Sequence, residues 1–376
     1  MIQIDFEILK DRKSINFVIK STMTKIFTTI ILCFFFFGLN AQQICLIDSL
    51  TKKKIDSTYL ALMKENKVSG MSIAIVDNGQ IVYATGYGFS DVEAQTPATS
   101  KSIYRIGSIT KSFTALSVMQ LQQQGKLSVK DDLKQHIPEF AIGFQKNQVQ
   151  PIYLRNIMAH TAGLPSDLMN GFFTENPPSF AWTIEQSSKV KMSYPLAYSH
   201  SYSNFGYEIL GEIVARKGEM DYEKYIQRQI FSPLGMNASF VYPNEVNNTP
   251  KSYLGKTLID EPLIRDAAAG LIHSNVEDMS NYLMMYLNRG KLNGQQILDS
   301  LSIVEMEKKQ TEDLKLKENS NFGYGLYSNS YYFKTEEDSS IVTIIGHGGD
   351  TYTFHADMKY IPELGVGVVL LTSVRL

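Results

Sequence analysis

The sequence is short of cysteine, of net charge and of long apolar segments, and each shortage excludes something. Among 376 residues only Cys33 and Cys45 are cysteines. Cys33 lies in an N-terminal apolar run expected to be removed, so Cys45 is left without an internal partner and a disulfide framework is excluded. Cys45 follows Gln42-Gln43-Ile44, without the small residue expected before a lipid-modified cysteine, and a freely exported chain is expected rather than a lipoprotein. The formal net charge is −2 and no basic block is longer than Lys52-Lys53-Lys54. That balance fits neither a nucleic-acid surface nor an electrostatic membrane anchor. The histidines at 136, 160, 200, 273, 347 and 355 show no His-Glu-x-x-His or other tight zinc spacing, so no metal and no cofactor is expected.

The longest apolar run, Ile26 to Leu39, has about fourteen residues, follows Lys25 and ends in Leu39-Asn40-Ala41. A transmembrane helix needs roughly 20 apolar residues, so the segment reads as a signal peptide over 23–41 with Met23 as the start. Residues 1–22 lack apolar periodicity and read as an over-predicted extension. No stable membrane span is then expected, and residues 42–376 form a single exported domain, periplasmic or extracellular. At 44% apolar residues the chain can bury a large core.

Patterning divides this domain into three parts. Ser49 to Glu65 has helical apolar spacing, and Met71 to Gly86 reads as a hairpin around Asp77-Asn78-Gly79. Ile341 to Ile345, Phe354 to Ile361 and Gly365 to Thr372 read as three strands of a meander, separated by Gly346-His347-Gly348-Gly349 and by Pro362 to Gly365. Between them lie helical stretches, Ser108 to Gln124, Tyr207 to Arg216, Tyr222 to Phe231 and Val276 to Asn288, stopped by glycine or proline. The expected fold class is α+β: an antiparallel sheet formed from both chain ends, flanked by helices, with an inserted mainly helical region and a site in the cleft between them. Only Lys315 to Ser320 reads as a solvated low-complexity loop.

Three patterns carry chemistry. Ser108-Ile109-Thr110-Lys111 sets a hydroxyl and an amine on one helix face. A serine hydroxyl becomes a nucleophile when a neighbour takes its proton, and a lysine with a lowered pKa is such a neighbour. Gly107 breaks the chain just before, which places Ser108 at a helix start whose N–H groups favour an oxyanion. Ser49 to Lys52 and Ser188 to Lys191 match the same spacing, and a capping serine with a solvated lysine fits it equally. Tyr202-Ser203-Asn204 precedes a helix, but Tyr242, Tyr286 and Tyr327 also stand two residues before an asparagine. A phenol with its ordinary pKa of about 10 needs a cation such as Lys111 to act as a base; without one, Tyr202 is a buried hydrogen-bonding tyrosine. Gly346-His347-Gly348-Gly349-Asp350 occurs once, at a strand end where a substrate backbone can pair, and a tight turn with a solvated histidine fits it too.

The order and separation of the three patterns resemble those of class C serine β-lactamases and the related penicillin-binding D-alanyl-D-alanine carboxypeptidases and esterases. The resemblance runs from about Asn66 to Thr372 and includes Ile106 to Phe113, Met158-Ala-His-Thr-Ala-Gly-Leu-Pro165, Tyr202 to Gly211, Pro233-Leu-Gly-Met236, Ala268-Ala-Gly-Leu271 and Gly346-His-Gly-Gly349. It implies a serine hydrolase with Ser108 acylated, Lys111 and Tyr202 relaying its proton, and Asn204 bonding the substrate amide. His347, Gly349 and Asp350 would bind substrate, with the N–H groups of Ser108 and Asp350 as oxyanion hole, while His160-Thr161 looks structural. The substrate class it implies is a small molecule or peptide, including cell-wall material. Efficient β-lactamases of this type carry lysine, then threonine or serine, then glycine on an edge strand. The triplet here is His347-Gly348-Gly349, with a histidine mostly neutral at pH 7 and no hydroxyl for a carboxylate. Esterase or peptidase action on a less charged substrate is therefore expected over efficient β-lactam hydrolysis. The alternative is a penicillin or cell-wall binder that is acylated slowly or not at all. An α/β-hydrolase is disfavoured, because Gly-x-Ser-x-Gly is absent. The terminal helix usual in the family is not found after Thr372, so a partly uncovered sheet face is expected.

Overall fold

The structure, a computed structural model, describes residues 44–144, 149–168, 172–243, 251–254, 257–316, 320–334 and 339–373. The expected extension at 1–22, the signal peptide at 23–41 with Cys33, and the middle of the 315–320 loop lie outside the described residues. Among the described residues no helix is long and apolar enough to cross a membrane.

Helix α1 (Ser49–Asn66) starts where the Asp48 carboxylate accepts from the N–H groups of Leu50 and Thr51, and stops at Lys67 in the left-handed region. Its Ile55, Tyr59 and Met63, four residues apart, form one buried stripe. Strands β1 (Gly70–Asp77) and β2 (Gln80–Asp91) follow. They are joined through Asn78 and Gly79, both at positive φ (49° and 75°), as a tight hairpin turn requires.

The chain then leaves the sheet for the helical region, whose axis is helix α2 (Thr110–Gln123). Every residue from Thr110 to Leu121 is buried there, as befits a helix surrounded by others rather than lying on a surface. Helix α3 (Asn204–Gly218) packs along it, and helix α4 (Val276–Leu287), which lies against the sheet, reaches it through Tyr282, whose hydroxyl donates to Ser112 Oγ at 3.1 Å. Tyr282 of α4 stacks on Phe113 of α2 with ring centroids 3.7 Å apart. The chain returns through β3 (Tyr327–Lys334), β4 (Ser339–Asp350), β5 (His355–Ile361) and β6 (Val366–Thr372).

Among the described residues the eight-stranded sheet runs from the short Ile44–Cys45 strand through β2, β1, β6, β5, β4 and β3, with the two-residue strand Thr96–Pro97 also paired to β2, and all these pairs are antiparallel. The two chain ends meet at β1 and β6, with Ile73 opposite Leu370 and Ala74 opposite Val369. The alternation sorts side chains to two buried faces. Met71, Ile73, Ile75, Val368 and Leu370 pack under α1, while Ala74, Val76, Val369 and Leu371 face the helical region. An antiparallel sheet built from both ends with an inserted helical region is thus the observed architecture.

Three details differ from the sequence reading. Tyr327, singled out in the sequence only by the asparagine two residues on, begins a strand that was not among those expected. Gly346 to Gly349 form the end of β4 instead of separating two strands. Every residue of β6 is buried, so neither face of that strand is uncovered.

Truncating Phe113 to alanine should cost about 3–5 kcal/mol, against no more than about 0.5 kcal/mol for Leu60→Ala on the exposed side of α1. Urea melts of the two variants check this.

Candidate active site

Ser108 lies in the short 3₁₀ turn Gly107–Ile109 that leads into α2, and Lys111 follows on the first α-helical turn. The Lys111 Nζ donates to Ser108 Oγ at 3.1 Å and to the Ala269 carbonyl at 2.8 Å. Lys111 is fully buried. Burial pulls its pKa from the ordinary 10.5 down to about 7, with Asp266, Asp167 and Glu208 acting in the opposite sense. About half of the amine is then neutral near pH 7, able to accept the Ser108 proton along an existing contact.

The sheet meets this turn backbone to backbone. Gly107 adopts φ +50°, and a Cβ there would lie 2.9 Å from the Asp350 nitrogen. A Cβ on Gly349 would lie 2.9 Å from the Ser108 nitrogen and 1.9 Å from the Ile106 carbonyl oxygen. Glycine at both positions lets the end of β4 slide against the helix start, and that brings the two expected oxyanion donors, Ser108 N–H and Asp350 N–H, into one place. β3 pairs with β4 only as far as Tyr327 opposite Gly346. His347 to Asp350 therefore run past their neighbour on that side, although β4 is an inner strand of the sheet.

Tyr202 is brought to the same point. Lys111 Nζ lies 4.7 Å from its ring centroid. Burial raises the phenol pKa far above its ordinary value, and the Ser108 side chain opposes this only in part. The hydroxyl is buried without a well-aligned hydrogen bond. The sequence reading allowed a phenolate base promoted by Lys111. Burial opposes the phenolate form that this reading needs and favours the protonated phenol.

His347 is buried, with its Nδ1 at the Gly348 carbonyl. Burial, reinforced by Lys111, lowers its pKa to about 3, so it is neutral as expected. Its ring lies 6.2 Å from that of Tyr202. Asn204 Nδ2 donates to Asp167 Oδ1 at 2.8 Å, a partner the sequence reading missed. Asp350 presents its carboxylate to His355 Nδ1 at 2.8 Å.

A cleft of about 290 Å³ opens on Ser108, with Asn204, Ile264, Asp266, Asp350 and Tyr352 among its walls. Asp266 is gripped by the Arg265 guanidinium through Nε at 2.5 Å and Nη2 at 2.8 Å. The cleft loop after β4 is fastened by Glu261, which accepts from the N–H groups of Tyr352 and Thr353 and from the Thr353 hydroxyl. Ala269, Asp167, Asp266 and Glu261 carry no motif of their own. Their one sequence signal was adjacency, since Asp167 follows Leu164-Pro165 and Ala269 lies within Ala268 to Leu271. Among the described residues no three His, Cys, Asp or Glu side chains converge as a metal-holding group.

A family model described as Beta-lactamase matches residues 55–375. The chain belongs to the beta-lactamase family. Beta-lactamase-like protein 2 of Dictyostelium discoideum is 29% identical over 334 residues, which cover 84% of this chain and 58% of that protein. Protein flp of Staphylococcus aureus strain N315 is 25% identical over 338 residues, covering 86% of this chain and 64% of flp. The chain thus spans about three fifths of the length of these curated relatives. Among solved structures, the octameric penicillin-binding protein homologue from Pyrococcus abyssi superposes with a TM-score of 0.71 at 29% identity, covering 86% of this chain and 73% of the other. The beta-lactamase family resemblance read from the motifs is therefore correct for the matched region, as is the fold expected from it.

The Lys111 environment fixes a pH dependence. The folded chain releases the Lys111 proton above about 7, whereas an unfolded lysine holds it to about 10.4. Stability therefore rises with pH between these values. If the neutral amine is the base, kcat/KM rises about tenfold per pH unit below 7 and levels off above it. Lys111→Met should abolish both dependences, as pH-rate profiles and denaturation at several pH values would show.

Proposed function

We propose that this chain is a serine hydrolase that forms an acyl-enzyme on Ser108 and cleaves an ester, amide or peptide. The observation that carries the reading is the 3.1 Å contact from a fully buried Lys111 amine to Ser108 Oγ. In this reading neutral Lys111 takes the Ser108 proton as Oγ attacks the substrate carbonyl. The oxyanion forms against the N–H groups of Ser108 and Asp350, and the Tyr202 phenol protonates the departing group. The Lys111 ammonium returns a proton to Tyr202, and water then releases the acyl group. Asn204 meets the substrate amide from the opposite wall.

The cleft chemistry favours uncharged substrates. Among the described residues lining it there is no lysine or arginine, while Asp266 and Asp350 are present. His347, at the position expected to meet a substrate carboxylate, is neutral. An anionic β-lactam or free peptide carboxylate lacks a fixed cation there, which supports esterase or peptidase action over efficient β-lactam hydrolysis. The apolar run at Ile26 to Leu39 supports export to a periplasmic or extracellular site of action.

Intact-mass spectrometry after exposure to a fluorophosphonate should show one adduct per chain. p-Nitrophenyl butyrate should turn over, and Ser108→Ala should lose the adduct and lower turnover about a thousandfold or more. An adduct with penicillin that persists without turnover would favour the binder over the hydrolase. Folded wild-type protein that takes up no fluorophosphonate and hydrolyses no ester would refute the serine-hydrolase reading.

A further inference from the structure

We propose that His160 is a positioning residue for Tyr202: it grips the peptide groups on both sides of the tyrosine and packs against its ring, so that the phenol is aimed at the departing group. This rests on the reading of Ser108 and Tyr202 given above.

The grip has three points. The His160 carbonyl oxygen accepts from the Ser201 N–H at 2.7 Å. The imidazole Nδ1 accepts from the Ser203 N–H at 3.0 Å. The imidazole lies against the Tyr202 ring with centroids 4.2 Å apart and planes inclined by 38°. One residue thus fixes the chain immediately before and immediately after Tyr202 and also the rotation of its side chain. An Nδ1 that accepts a backbone N–H carries no proton, so the ring is neutral with its proton on Nε2. A second proton would turn the acceptor into a donor and break the grip.

The surroundings hold His160 in that role. It is 1% exposed, and burial lowers its pKa well below the ordinary value, with Lys111, His200 and His347 acting in the same sense. Its backbone sits at φ +57°, in the left-handed region that a non-glycine residue occupies when its neighbours over-determine it. The following residues extend the grip to Asn204. Pro165 O accepts from the Ser203 hydroxyl at 2.6 Å, Ser166 O from the Asn204 N–H at 2.8 Å, and Asp167 from the Asn204 amide. The segment from His160 to Asp167 is therefore a cradle for residues 201 to 204, and His160 is its contact with the tyrosine.

The leaving group distinguishes positioning from mere packing. p-Nitrophenolate departs without a proton, whereas an alkoxide needs one, so misplacing the Tyr202 phenol penalises an alkyl ester selectively. We expect His160→Ala to lower kcat on ethyl butyrate at least about tenfold more than on p-nitrophenyl butyrate, with KM little changed. His160→Asn tolerates the left-handed backbone and offers an acceptor to Ser203 but no ring, and it should show an intermediate split of about threefold or more. Tyr202→Phe should show the same selectivity, and the double variant Tyr202→Phe/His160→Ala should lose no more than Tyr202→Phe alone. Equal losses on both esters, no loss at all, or an additive double variant would overturn the proposal. Should His160→Ala not fold, an equal loss on both esters in His160→Asn overturns it just as well. A wild-type chain that hydrolyses neither ester overturns the Ser108 reading and this one together.

Discussion

The candidate site depends on keeping one lysine amine out of water. An ammonium is costly to bury, and Lys111 is fully enclosed with the Ser108 hydroxyl and the Ala269 carbonyl as the hydrogen-bond partners of its amine among the described residues. The acids near it limit the penalty without removing it. Asp266 is tied to Arg265, and Glu208, which accepts from the Ala268 N–H at 3.1 Å, is driven by burial toward its neutral form. A full carboxylate against Lys111 would have locked it as a cation. Acids whose charge is shared or suppressed leave the amine near balance at neutral pH.

That arrangement requires two parts of the molecule to meet with little tolerance. The helical region supplies Ser108, Lys111 and Tyr202, while the sheet supplies His347 and Asp350. Gly107 and Gly349 make the seam between them, where a side chain on either would collide with backbone of the other part. The seam is stiffened at a distance. Arg105 is buried beside Glu261 at 3.5 Å and donates to the carbonyls of Glu261 and Pro262, and Glu261 in turn holds the loop that follows Asp350. Joining β1 to β6 closes the sheet from both chain ends, so the strand carrying His347 is braced by the whole chain rather than by its own hairpin.

Much of this was legible in residue order. The stop signals and periodicities located α1, the first hairpin and the returning strands, and the three motifs converge on one point within the cleft. What escaped the sequence had physical reasons. β3, from Tyr327 to Lys334, reads as Tyr-Ser-Asn-Ser-Tyr-Tyr, too polar to announce a strand, and it is fixed by pairing with β4. The glycines at 346, 348 and 349 read as a turn, whereas Gly346 and Gly349 serve close backbone approach within an extended strand. Ala269 contributes a carbonyl, which residue type cannot encode. Asp167 and His160 act across about 40 residues of intervening chain, a relation that no local pattern carries. The pKa of Tyr202 depends on burial, and adjacency to a lysine suggested the opposite direction.

Lys111 and Tyr202 show how one enclosed pocket moves an amine and a phenol in opposite directions. The same loss of water disfavours the charged form of each, and because one charges by gaining a proton and the other by losing one, their pKa values move apart. The lysine is driven toward the neutral amine and the tyrosine toward the neutral phenol, with burial the largest cause in both, which suits the base and acid roles proposed for them beside Ser108. His347 and His160 obey the same rule, since burial keeps both neutral. Around Ser108, burial thus favours the neutral forms of Lys111, Tyr202, His347 and His160. Among the described residues lining the cleft there is no lysine or arginine, so an anionic substrate group would leave water without a fixed cation to meet it there. In the proposed reading, the burial that tunes Lys111 and Tyr202 therefore also narrows the substrate, and pairing and selectivity follow from one physical cause.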